Sequence, residues 1–261
     1  MLHLDSSIKV RESYLASMTL IRALTKPGEL AWNITREVGA SVLAYELYPL
    51  AILGNSLPAL PIFWTKSQSH RRPILFIHGI FHNKSAFFYL KQKLAAKGWH
   101  HFREMDLLTS VYTIPRLAER VRCEVDKLRE EYQTDQIDIV AHSMGGIIAR
   151  YYLQKLNGDG VAKNLITLGT PHQGTQWSKY SLLPHIRELQ PASNLLKELN
   201  GLEPPQKTRA VSVSGTLDIM MSPATAPQWS GVRHIELKNV GHAGLLFSKR
   251  VFQIVACHLD D

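Results

Sequence analysis

Apolar residues recur along this chain with two different spacings, and the alternation between them lays out a series of strands and helices. Compact apolar runs at residues 73–77, 137–141, 165–168, 210–213 and 234–237, with a weaker one at 101–105, read as strands. Most lack a polar face, as strands covered on both sides do. Between them the apolar positions fall three or four apart. Ile114, Leu117, Val121, Val125, Leu128 and Tyr132 mark one amphipathic helix, and similar patterns cover residues 84–97, 144–156 and 245–258. Strands that alternate with helices predict the α/β class: a mostly parallel central sheet, right-handed crossovers, and helices on both faces.

The first 66 residues break this rhythm. Val10, Tyr14, Met18, Ile21 and Leu24 form an amphipathic stripe beside Lys9, Arg11, Arg22 and Lys26. Residues 38–63 carry a single charge, Glu46, and have about the length that a bilayer span requires. Pro49, Gly54, Asn55, Pro58 and Pro61 interrupt them, however, and a spanning helix accommodates such breaks poorly. The reading is an N-terminal helical extension over residues 1–66, either associated with a membrane surface or capping the domain. A polar turn at 67–72 opens the main domain, residues 67–261. Inside it, residues 177–205 are irregular and punctuated by Pro184, Pro191, Pro204 and Pro205, which suits a cap or lid-like insertion.

A chain of 261 residues that is 45% hydrophobic buries a full core, so one main domain is expected. Two cysteines, Cys123 and Cys257, make no disulfide framework. The net charge of +8 is spread among acidic residues with no basic stripe or interleaved aromatic platform, which excludes nucleic acid as the expected partner and favours an anionic membrane surface. The N-terminus lacks the short apolar core and small-residue cleavage site of a signal peptide, so a cytoplasmic or membrane-peripheral protein is expected. No metal-ligand cluster stands out, no cofactor is implied, and no feature announces an oligomeric state.

The candidate chemistry lies at residues 136–146, QIDIVAHSMGG. A buried strand passes at once into a helix at Ser143, with Ala141, Gly145 and Gly146 supplying small side chains where the two elements meet. Such a turn presents the hydroxyl at the carboxyl end of the sheet, beside the unpaired N–H groups of a helix start. Downstream, Asp218 follows one strand and His242 follows the next, 24 residues apart, which returns both to the same end of the sheet.

The Ala-His-Ser-Met-Gly run resembles the nucleophile elbow G-x-S-x-G of the α/β-hydrolase superfamily, with Ala141 in the first glycine position, and in particular that of small bacterial lipases and esterases. The resemblance extends over residues 73–257 through three further segments. Leu-Asp-Ile-Met-Met with Val-Gly-His-Ala-Gly-Leu-Leu-Phe-Ser implies Asp218 as catalytic acid and His242 as base. His78-Gly79-Ile80 is similar to the oxyanion motif of these enzymes and implies the N–H groups of Ile80 and Met144 as donors, with Phe81 an alternative to Ile80. Thr170-Pro171-His172-Gln173-Gly174-Thr175 implies a pocket-shaping loop, in which a catalytic His172 breaks the superfamily order of serine, acid, histidine.

The resemblance thus implies an α/β-hydrolase fold and a serine hydrolase that cleaves carboxylic esters, with an acylglycerol or similar small-molecule lipid ester as substrate. Phe81, Trp177 and Leu182 are the expected substrate-binding residues. An amidase, thioesterase or acyltransferase uses the same machinery. An inert, membrane-associated hydrolase-like interaction protein is the alternative outside the enzymes.

Overall fold

The computed structural model describes residues 71–80, 84–107, 112–181 and 183–260. The expectations for the extension 1–66, for Phe81 and for Leu182 lie outside the described residues.

Six strands form one sheet: β1 (Ile74–Ile77), β2 (Phe102–Glu104), β3 (Ile137–His142), β4 (Ala162–Leu168), β5 (Arg209–Gly215) and β6 (Arg233–Leu237). Their order is β2-β1-β3-β4-β5-β6, and every pairing among them is parallel. The α-helices are α1 (Phe88–Ala95), α2 (Ile114–Glu131), α3 (Met144–Lys155), α4 (Pro184–Arg187), α5 (Asn194–Asn200) and α6 (Lys249–Asp260). A parallel strand pair needs a crossover; helices supply it from β1 through to β5, whereas residues 216–232 carry the chain from β5 to β6 without one.

The period of two along each strand decides what each face buries. Leu75, Ile77, Ile137, Ile139, Ala141 and Leu165 pack with Leu117, Val121, Val125 and Leu128 of α2 and with Ile147 and Ile148 of α3. Ile74, Phe76, Val140, Ile166, Val211 and Val213 point the other way, onto Leu90 and Leu94 of α1 and Val251, Val255 and Leu259 of α6. These side chains are almost wholly excluded from solvent, and each of the Leu, Ile, Val and Phe among them stabilises the fold by roughly 1.5–3 kcal/mol relative to exposure. Because both faces are covered, the strands read as continuous apolar runs.

The closing helix differs from the single element expected over residues 245–258. A 3-10 turn covers Ala243–Phe247, Ser248 is extended, and α6 begins at Lys249. The hydroxyl of Ser248 accepts from the Val251 N–H at 3.4 Å, the N-cap arrangement that lets a helix restart after a break. The preceding turn keeps Leu245 and Leu246 buried while carrying His242 back over the sheet edge.

The irregular region 177–205 contains a 3-10 turn at Gln176–Tyr180 and the short helices α4 and α5. Its far end is fixed by Arg150 of α3. That guanidinium is buried, donates to the carbonyls of His172 at 3.3 Å and Leu199 at 2.7 Å, and lies over the Trp229 ring at 4.7 Å. Burial lowers its pKa to about 10, which leaves it charged at neutral pH.

The strand order sets the position of the site. From β1 the chain crosses to β2 on one side, whereas β3 leads to β4, β5 and β6 on the other. Loops leaving the carboxyl ends of β1 and β3 therefore diverge, and a crevice opens between them.

Candidate active site

Ser143 occupies that crevice. It follows β3 directly and has φ +56 and ψ −129, a backbone conformation that a non-glycine residue adopts only when its surroundings impose it. Both ends of the residue are held. Its N–H donates to the Leu168 carbonyl at 2.8 Å, and its carbonyl accepts from the Thr170 hydroxyl at 2.9 Å.

The two glycines after it allow the helix to start this close to the sheet. A Cβ on Gly145 would lie 2.4 Å from the Ile77 carbonyl oxygen, and one on Gly146 would lie 2.0 Å from the Thr170 hydroxyl. Either contact is far inside van der Waals range, so the sequence requires glycine at both positions.

Asp218 and His242 meet above the end of β4. The Nδ1 of His242 donates to Oδ2 of Asp218 at 2.7 Å. The carboxylate is fully buried and the imidazole is about one-fifth exposed. The other oxygen, Oδ1, accepts from the backbone N–H of Met220 at 3.0 Å, so both carboxylate oxygens are engaged. With Nδ1 carrying the proton toward Asp218, Nε2 keeps its lone pair, which is what a general base requires.

Gly169 leaves space for this pair. A Cβ there would lie 3.0 Å from Asp218 Oδ2 and 3.1 Å from His242 Nδ1. Gly169 follows Leu168, and Leu168 is paired in register with His142, the residue before Ser143. The acid-base pair and the serine thus sit over adjacent strand ends.

Across the crevice, His78 organises the loop after β1. Its Nε2 accepts from the Leu107 N–H at 3.1 Å, so Nδ1 carries the proton and donates to the Gly79 carbonyl at 2.8 Å. Burial lowers the pKa of this histidine, in keeping with a neutral ring. The Gly79 carbonyl and the Ile80 N–H belong to one planar trans peptide and point in opposite directions. Holding the oxygen toward His78 therefore turns the Ile80 N–H away from it. Gly79 itself packs on the serine, since a Cβ there would lie 2.7 Å from Ser143 Cβ. Met144 is the first residue of α3, where N–H groups have no acceptor inside the helix.

The remaining residues singled out by sequence take other places. Trp177 is half exposed, and its indole N–H donates to the Ile219 carbonyl at 2.7 Å, tying it to the loop that carries Asp218. His172 is buried and stacked on Trp229, with Nε2 3.1 Å from the Thr167 hydroxyl. It stands apart from the Asp218–His242 pair as a packed core residue.

Sequence reasoning missed His142. Its ring lies 4.6 Å from that of His242, and its Nε2 is 3.2 Å from the His242 carbonyl oxygen. The signal was a polar residue on an otherwise apolar buried strand. Among the described residues, no group of three or more histidine, cysteine, aspartate or glutamate side chains is arranged to hold a metal ion, and no helix is long and apolar enough to cross a membrane.

A parallel sheet with a strained serine between strand and helix, and an aspartate-histidine pair over the neighbouring strand end, defines an α/β protein with its candidate site at the carboxyl edge of the sheet. A family model described as alpha/beta hydrolase fold matches residues 72–183. The structure resembles mature lipase BlEst2 of Bacillus licheniformis with a TM-score of 0.63 and 17% identity, covering 72% of this chain and 92% of that one. It resembles lipase B of Aspergillus fumigatus with a TM-score of 0.65 and 13% identity, over 77% of this chain and 55% of that one. A carboxylesterase structure from the thaumarchaeon Nitrososphaera gargenis gives 0.51 and 16%, over 74% and 91%. The chain has the α/β-hydrolase fold, and these structural neighbours are lipases and esterases.

Proposed function

We propose that this protein is a serine hydrolase of carboxylic esters in which Ser143 is the nucleophile, His242 the base and Asp218 the orienting acid. The observation that carries this reading is the 2.7 Å contact between His242 Nδ1 and the buried Asp218 carboxylate, set over the strand end next to Ser143.

The reaction follows from the tautomer. Ser143 Oγ attacks the ester carbonyl carbon while His242 Nε2 takes its proton, and the imidazolium formed is stabilised by Asp218. The carbonyl oxygen becomes an oxyanion facing the Ile80 and Met144 N–H groups, which are aligned in advance by His78 and by the start of α3. Collapse of the tetrahedral intermediate breaks the bond to the alcohol, which leaves with the proton from His242. Water then attacks the acyl-serine with His242 again as base, releasing the acid and restoring Ser143.

The substrate class is an ester with an apolar acyl group, in line with the lipase and esterase neighbours and with the half-exposed Trp177 ring tied to the loop that carries Asp218. The test is covalent labelling by a fluorophosphonate together with hydrolysis of p-nitrophenyl esters of graded chain length. Wild type should label and turn over, and Ser143→Ala and His242→Ala should each abolish both. Asp218→Asn should lower kcat by up to about 10⁴-fold, because the amide holds the imidazole in the wrong tautomer. Undiminished hydrolysis in Ser143→Ala rejects the assignment, and a preference for anilides over esters rejects the substrate class.

A further inference from the structure

Large apolar side chains that face solvent are few in the described part of the molecule, and they are not scattered. Of the six such residues, Trp177, Tyr180, Ile219 and Met220 form one patch, with Tyr180 81% and Ile219 73% exposed. The rings of Trp177 and Tyr180 are 6.4 Å apart, and the Trp177 indole is bonded to the Ile219 backbone. A row of hydrogen bonds laces the two segments together: the Thr175 hydroxyl to the Met220 carbonyl at 2.6 Å, and the Gln176 N–H to the Ser222 carbonyl at 2.8 Å. The patch is thus a fixed surface, and it begins one residue beyond Asp218.

Its charge is one-sided. Residues 176–187 include Lys179 and Arg187, both exposed, and no acidic residue, and residues 219–229 are uncharged. The chain as a whole carries +8. Tryptophan and tyrosine rings with an apolar body and a polar tip, flanked by cations, are suited to the boundary between hydrocarbon and anionic headgroups. A protein interface does not call for that lack of acidic groups.

We propose that this rim docks on an anionic lipid surface and presents the crevice to ester-bearing lipid drawn from it. The proposal rests on the ester-hydrolase reading for its consequence, though not for the docking itself. Apolar contact by Tyr180 and Ile219 supplies part of the attraction, and Lys179 with Arg187 supplies its preference for negative headgroups.

The experiment is co-sedimentation of the full chain with phosphatidylcholine vesicles, with and without phosphatidylglycerol, for wild type, Tyr180→Ser/Ile219→Ser and Lys179→Glu. Wild type should bind the anionic vesicles more tightly. The double variant should bind them about tenfold or more weakly, as the loss of two apolar contacts implies. Lys179→Glu should lose the headgroup preference, and all three should hydrolyse soluble p-nitrophenyl acetate alike. Unchanged vesicle binding by the double variant overturns the proposal, as does equal wild-type binding to neutral and anionic vesicles. Wild-type self-association in sedimentation velocity that disappears in the double variant, without vesicle binding, assigns the patch to a second copy of the chain and overturns it too. Patch-dependent vesicle binding without fluorophosphonate labelling of Ser143 leaves the docking standing and rejects the hydrolase reading, so the two failures are distinct.

Discussion

The imidazole of His142 reaches the backbone carbonyl oxygen of His242 through Nε2 at 3.2 Å, so the residue before the candidate nucleophile holds the loop of the candidate base. His142 is fully buried at the end of β3, on the same strand face as Val140. The bond links a strand end to a loop 100 residues away in the chain. It requires the proton on Nε2, and it fixes how far the His242 loop stands from Ser143.

Replacing His142 with alanine should therefore lower kcat by about tenfold while leaving KM nearly unchanged, in proportion to one buried hydrogen bond and the positional freedom it restrains. His142→Gln, which retains a donor of similar reach, should recover much of the loss. Steady-state kinetics on a soluble ester check both variants. A fall in KM equal to the fall in kcat, or no recovery with glutamine, would count against the positioning role.

His78 makes a separate prediction, because it acts on the other side of the reacting carbon. Its bond to the Gly79 carbonyl sets the plane of the peptide that carries the Ile80 N–H. His78→Ala frees that plane, and kcat should fall on the order of 10- to 100-fold, somewhat less than the loss of an oxyanion donor itself. Fluorophosphonate labelling should slow in parallel, since that reaction also builds negative charge on oxygen. Unchanged labelling would show that the peptide keeps its orientation without the histidine.

The sheet was legible from sequence because its central strands β1, β3, β4 and β5 are buried on both faces along most of their length and bounded by helical periodicity, so their runs are unambiguous. The convergence of Asp218 and His242 was legible for a related reason: each follows a parallel strand, and parallel strands deliver their following loops to one edge. What sequence left hidden were contacts made across that edge by residues of unremarkable local pattern. His142, the ring of His78 and the Thr170 hydroxyl act through partners far along the chain or through a backbone geometry that periodicity does not encode. The break at Ser248 was hidden for the opposite reason, since apolar residues on both sides of it keep the spacing of one helix.

Gly169 tests the packing of the acid-base pair directly. It has φ +55, and an added methyl group would press on both Asp218 Oδ2 and His242 Nδ1. Gly169→Ala should cost roughly 1–2 kcal/mol in backbone strain. It should also lower kcat by about tenfold or more, by displacing the Asp218–His242 pair on which the proposed chemistry depends. A thermal melt and kinetics on the same preparation separate the two effects. Wild-type kcat in a destabilised variant would mean that the pair moves together and tolerates the methyl.

Acid should destabilise the fold through its buried histidines. Burial lowers the pKa of His78. It lowers that of His172 well below the ordinary value, where the charge of Arg150 adds to the effect. In the unfolded chain both return to about 6.5. Above that pH both states hold them neutral, and the two histidines make stability independent of pH. Below it the unfolded chain takes up protons that the folded one refuses, so stability falls as pH falls, by up to about 1.4 kcal/mol per pH unit for each histidine until its folded pKa is reached. His172→Phe, which keeps a ring against Trp229, should be less stable at neutral pH through loss of the contact with Thr167, yet melt with a shallower acid slope than wild type. Melting temperatures of both proteins from pH 8 down to pH 5 check this, and parallel curves would show that His172 is already protonated in the folded state or solvated well enough to titrate there.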